Sequence, residues 1–101
     1  MILEWSPLAL EDRNNIFDYI EQENPRAAVA VDDRISNQIN NLLKFPETGR
    51  PGRIEGTREL VINHTPYIAA YRILGDRVRI LRLLHGSQLW PEEILEEGSG
   101  S

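Results

Sequence analysis

The stretch TRELVINHTPYIAAYRILGDRVRILRLLH, residues 57–85, holds three runs rich in Leu, Ile and Val, broken by two turn signals. Thr57 to Ile62 reads as one strand, Tyr67 to Leu74 as a second and Arg77 to Leu84 as a third. Asn63-His64-Thr65-Pro66 and Gly75-Asp76 supply the turns. Three strands joined so closely predict an antiparallel meander. Side chains alternate along each strand. In the third run Val78, Ile80, Arg82 and Leu84 therefore share one face, while Arg77, Arg79, Leu81, Leu83 and His85 share the other. Arg82 breaks the apolar face. It would point inward and need a carboxylate such as Glu59 or a cluster of carbonyls, or a bulge would equally turn it outward.

Upstream the period lengthens. Ile2 to Trp5 is a short apolar run that reads as a first strand. Ser6-Pro7 is an N-cap followed by a proline at the first helical position, where the missing N–H costs nothing. A helix is predicted from about Leu8 to Glu23, with Ala9, Ile16 and Ile20 on its apolar side. Asn24-Pro25 repeats the device. A second helix is predicted from about Arg26 to Phe45, with the stripe Ala28, Val31, Ile35, Ile39 and Leu42. The short link makes the two an antiparallel hairpin. Residues 46–56 carry three Gly and two Pro and read as a loop. The expected fold is α+β: a two-helix hairpin packed on one face of a four-stranded antiparallel sheet, in the order β-α-α-β-β-β. The opposite sheet face is left for a partner.

Composition narrows the options. The chain has 101 residues, enough for one domain. We read residues 1–91 as that domain and 92–101 as an acidic tail ending in a Gly/Ser linker left by cloning. No cysteine is present, which excludes disulfides and thiolate metal sites. The apolar runs are too short and too broken by arginine to cross a membrane as a helix, and the N-terminus lacks the pattern of a signal peptide. A cytoplasmic protein is expected. Net charge is −5, unevenly spread. Residues 1–48 carry nine acids and four bases, residues 49–90 three acids and seven arginines, residues 91–101 four acids and no base. The basic stretch is either a set of solvated ion pairs or a site for an anionic partner.

The candidate site residues come from that stretch. Arg50, Arg53 and Arg58 could grip phosphate through bidentate hydrogen bonds, or could simply end a solvated turn. Arg77, Arg79 and Arg82 are further candidates for holding a target or a phosphate. His85 could act as an acid or base near neutral pH, or merely hydrogen-bond the tail. Trp5 and Trp90 read as packing residues. Two histidines without ligand spacing predict no metal site, and no cofactor is expected.

Several segments together resemble the RelE/ParE superfamily of type II toxin–antitoxin toxins, the plasmid-stabilisation type. They are Glu23-Asn24-Pro25-Arg26-Ala27-Ala28, Gly49-Arg50-Pro51-Gly52-Arg53, Gly56-Thr57-Arg58-Glu59-Leu60-Val61, Pro66-Tyr67, Tyr71-Arg72, Ile80-Leu81-Arg82-Leu83-Leu84-His85-Gly86 and Trp90-Pro91. The resemblance implies a growth-inhibiting bacterial toxin with a cognate antitoxin, as a homodimer or a toxin–antitoxin hetero-oligomer. RelE-like members cut mRNA on the ribosome. That role would assign His85 as acid, Glu59 as base and Arg58 as cationic catalytic residue. ParE-like members inhibit DNA gyrase and need no such set. Ile68-Ala69-Ala70 stands where the nucleases tend to carry an arginine, and the pI near 5.0 is unlike that of an RNA binder. Both favour the ParE-like reading. A third possibility is an inactive relative that only binds antitoxin.

Overall fold

A computed structural model of the chain describes residues 1–87. The order is β1 (Ile2–Trp5), α1 (Pro7–Glu21), α2 (Pro25–Asn40), a single 3-10 turn (Asn41–Leu43), β2 (Arg50–Pro51), β3 (Arg58–Val61), β4 (Tyr67–Leu74) and β5 (Arg77–His85). The helical hairpin covers one face of the sheet, as expected. Trp90, the acidic tail and the Gly/Ser end lie outside the described residues.

Both helices start on the caps read from sequence. The Ser6 hydroxyl accepts from the Ala9 N–H at 3.0 Å, and the Asn24 side chain accepts from the Ala27 N–H at 3.1 Å. The second helix is shorter than its pattern. It tightens at Asn41 into the 3-10 turn, which still buries Leu42. The stripe Ala28, Ile35, Ile39 and Leu42 is buried, with Val31 packed against it. Ala9, Ile16 and Ile20 of α1, Trp5 of β1, and Tyr67, Ala69, Tyr71, Val78, Ile80 and Leu83 of the sheet complete this core. Arg13 ties the hairpin together. It makes two hydrogen bonds to Asp32, at 2.7 and 3.0 Å, and lies over the Trp5 ring at 5.1 Å from its centroid.

The sheet differs from the expectation in two ways. It has five strands, in the order β1-β5-β4-β3-β2, and it is mixed. β1 runs parallel to β5, with Glu4 opposite Arg79. The chain leaves β1 through the helical hairpin and β2, and the β3–β4–β5 meander then brings β5 back alongside β1 in the same direction. The fifth strand is Arg50–Pro51, two residues of the Gly/Pro loop that pair with Glu59 and Arg58.

β5 carries a bulge. Ala70 pairs with Arg82 but Tyr71 pairs with Ile80, so Leu81 is the extra residue. The bulge moves every later side chain to the other face. Val78, Ile80 and Leu83 all enter the helix-side core. The inward-pointing Arg82 of the simple alternation is thereby avoided.

Ile39 is fully buried. Ile39→Ala should therefore cost about 2–5 kcal/mol in urea denaturation. A loss well below that range would show that α2 is not seated on the sheet as described.

Candidate functional site

Arg77 and Arg79 lie on the sheet face away from the helices, as the alternation predicts. Glu4 of β1 sits between them. Its carboxylate accepts from Arg77 Nη1 and from Arg79 Nη1, each at 2.7 Å. The Arg79 guanidinium, with Arg77, holds the Glu4 carboxyl below its ordinary 4.5. Arg72 on β4 stands opposite Arg79 in the ladder. Tyr71 and Ile73 on either side of Arg72 pack in the helix-side core, so Arg72 itself points to this outer face.

A second arginine pair surrounds Glu59 of β3, which pairs with Ala70 of β4. Its side chain is only 3% exposed. It accepts from Arg50 Nη2 at 3.2 Å and from the Arg53 backbone N–H at 2.8 Å, with Arg53 Nε at 3.6 Å. A buried carboxylate requires such partners. The 52–57 segment is drawn over the sheet by this contact. Ile54 packs on Ala70 and Leu84, and the Gly52 N–H bonds the Thr57 carbonyl at 2.8 Å. A Cβ at Gly52 would fall 2.2 Å from Thr57 Oγ1, so the loop closes only around a glycine.

Arg58 faces the other way. Its guanidinium donates to the Gly49 carbonyl at 2.7 Å. Beside it the Tyr71 hydroxyl donates to the Pro46 carbonyl at 2.6 Å and accepts from the Gly49 N–H at 2.9 Å. Desolvation raises the Tyr71 pKa. Arg58 and Tyr71 thus pin the loop to the core.

For β5 one open choice is resolved, in favour of the bulge, and one expectation is corrected. Arg82 pairs with Asp12 of α1 and not with Glu59, through bonds of 2.8 and 2.9 Å. Asp12 also accepts from the Leu83 N–H at 2.9 Å. The Asp12 carboxylate raises the Arg82 pKa. His85 was expected on the outer face with Arg77 and Arg79. The bulge places it with Leu83, on the side of Tyr67, whose ring it meets edge-on at 5.7 Å. The His85 Nδ1 accepts from the Ser87 N–H at 3.1 Å.

The proposed catalytic set is therefore dispersed. His85 pairs with Tyr67, whereas Glu59 pairs with Ala70, three residues along β4 and on the opposite face. That separation is about 10 Å along the strands, with further distance across β4 and through the sheet. Among the described residues no group of three His, Asp or Glu could hold a metal. No described helix is long and apolar enough to cross a membrane.

Sequence reasoning missed Glu4, Asp12 and Arg72. Arg72 was within reach: a two-residue turn at Gly75-Asp76 pairs Leu74 with Arg77, Ile73 with Val78 and so Arg72 with Arg79. Glu4 depends on the parallel β1, which leaves no local signal, and Asp12 on a contact 70 residues away across the fold.

A small mixed sheet covered on one face by a helical hairpin defines the chain as a compact α+β domain. Residues 3–90 match the family described as the ParE toxin of the type II toxin–antitoxin system parDE, and the chain belongs to that family. It is 44% identical over 90 residues to Y4kP of Sinorhizobium fredii, named as a candidate toxin, covering 89% of this chain and 93% of the relative. It is 35% identical to toxin RelE2 of Caulobacter vibrioides, over 84% of this chain and 94% of the relative. A solved structure of the chromosomal ParDE system from P. aeruginosa superposes with a TM-score of 0.77 at 28% identity, over 84% of this chain and 95% of that one. YoeB from Staphylococcus aureus, solved as a dimer, shares the fold with a TM-score of 0.54 at 16% identity, over 81% and 92%. The chain is a toxin of a type II toxin–antitoxin system, and that membership implies a cognate antitoxin.

Removing Asp12 leaves a guanidinium and a strand N–H without their acceptor. Asp12→Ala should cost about 2–4 kcal/mol in chemical denaturation. A cost below about 0.5 kcal/mol, the level of an ordinary surface change, would show that something else holds the bulge.

Proposed function

We propose that this chain is a ParE-like toxin that inhibits DNA gyrase by binding it, in the bacterial cytoplasm, until the antitoxin covers the working face. On this reading the pair serves to maintain the genetic element that encodes it. The dispersal of His85, Glu59 and Arg58 is the observation that carries the proposal. Cleavage of RNA by its own 2′-hydroxyl needs an acid, a base and a cationic group around one phosphate. Here the acid candidate is tied to Ser87 and Tyr67. The base candidate is buried between two arginines, and Arg58 is engaged with loop carbonyls. An inhibitor that works by binding needs only a shaped, charged surface, and Arg50, Arg53, Arg72, Arg77 and Arg79 supply one.

A second reading, ribosome-dependent mRNA cleavage, rests on the RelE name of the Caulobacter relative. Pulse-labelling after induction separates the two. Early loss of thymidine incorporation with amino-acid incorporation intact is expected. In the same assay His85→Ala should keep its growth arrest, while Arg79→Glu should lose it and still fold and bind antitoxin. Early loss of protein synthesis, relieved by His85→Ala, would replace the gyrase reading with the nuclease one.

A further inference from the structure

Arg72 differs from the other arginines of the sheet. Its Nε is buried and has no hydrogen-bond acceptor among the described residues. It stands directly across from Arg79, and like charges in opposed positions repel. The turn at Gly56 lies against its guanidinium. A Cβ at Gly56 would be 3.6 Å from Arg72 Nη2, and the φ of +85° there resists any side chain. The site thus has a cation with a buried, unused donor, a second cation beside it that Glu4 engages, and a backbone edge without a side chain.

We propose that Arg72, under the Gly56 turn and beside Arg79, receives a carboxylate from an acidic segment of a partner protein. This rests on reading the arginine face as the working surface, and it names the chemistry of what binds there. Two observations favour a carboxylate over nucleic-acid phosphate. The same face already holds a carboxylate between two guanidiniums, with Glu4 bridging Arg77 and Arg79 at 2.7 Å each. The chain as a whole carries −5, and residues 1–48 alone carry nine acids against four bases. That field opposes a long polyanion, whose affinity depends on neutralising many phosphates. A short acidic segment needs only a few close contacts.

The test uses the full chain with two probes of equal charge, a peptide of alternating Glu and Leu and a thymidine oligonucleotide. Binding is read by calorimetry and by the Arg Nε–Hε NMR signals, with Arg72 assigned by its loss in Arg72→Lys. The peptide is expected to shift the Arg72 signal and to bind more tightly than the oligonucleotide. Arg72→Gln and Arg72→Lys should each weaken peptide binding roughly tenfold or more, because Lys keeps the charge but loses the planar fork. An unmoved Arg72 signal in the unaltered chain, tighter binding of the oligonucleotide, or full affinity in Arg72→Lys would each overturn the proposal. Peptide binding that appears only after Glu92, Glu93, Glu96 and Glu97 are changed to Gln would also overturn it, and would assign the site to the chain's own acids. None of these readouts involves growth arrest, so failure of the gyrase reading would leave them intact and separately measurable.

Discussion

Ser6 and Asp12, less than two helical turns apart on the N-terminal side of α1, hold the edge of β5 from the other end of the chain. The Ser6 hydroxyl donates to the Leu81 carbonyl at 2.9 Å while capping α1. Asp12 accepts from the Leu83 N–H and the Arg82 guanidinium. β1 has ended by this point, since Trp5 pairs with Ile80 and the Ser6 N–H bonds the Ile80 carbonyl. The edge beyond it would otherwise present unpaired backbone groups. The helix start takes the place of a strand and accommodates the extra residue at Leu81. From that one-residue insertion follow the inward Leu83, the edge salt bridge of Arg82 and the position of His85 beside Tyr67.

The same constraint sorts the arginines. Without the bulge Arg82 would enter the core as a buried charge, at a cost of several kcal/mol unless fully partnered. With it, Arg82 and Arg58 become structural: one clamps α1 to β5, the other fastens the 46–49 turn. Five arginines are left on or around the outer face. Their described carboxylate partners are mainly Glu4 and the buried Glu59, apart from a loose approach of Arg77 to Asp76. The basic character of residues 49–90 thus resolves into scaffold and surface, a division that counting charges could not make.

Much of the fold was legible because it is written in local signals. Ser6-Pro7 and Asn24-Pro25 mark helix starts by satisfying orphan N–H groups, and the stripe from Ala28 to Leu42 has a single apolar face. Gly75-Asp76 fixes a hairpin and with it a register. The rest depends on long-range geometry. That β1 runs parallel to β5 depends on the whole course of chain between them, and two-residue β2 is too short to leave a pattern. The bulge at Leu81 was recognisable only as a conflict, an arginine where an apolar side chain belonged. Its resolution needed Asp12, 70 residues away. His85 was misplaced for that reason alone, because alternation counted without the bulge sends it to the wrong face. The arginines of the candidate surface were identifiable one by one, but Arg72 gains meaning only from its ladder partner.

A face of this kind has an energetic consequence for a protein that works in a pair. Arg72 and Arg79 stand opposed on a hydrogen-bonded ladder that fixes the spacing of their backbones. The scaffold beneath them, with Tyr71, Val78 and Ile80 fully buried, fixes their spacing. Glu4 already engages Arg79, whereas the Arg72 Nε has no acceptor among the described residues, so a correctly placed carboxylate would make new charge-assisted bonds at Arg72. Preorganised cations also bind with less ordering cost than flexible ones. The acidic N-terminal half adds direction, since a molecule negative on its helical side and positive on its outer sheet face presents that face first to an acidic surface. A toxin that works by binding, without chemistry, would draw both its grip and its orientation from this arrangement.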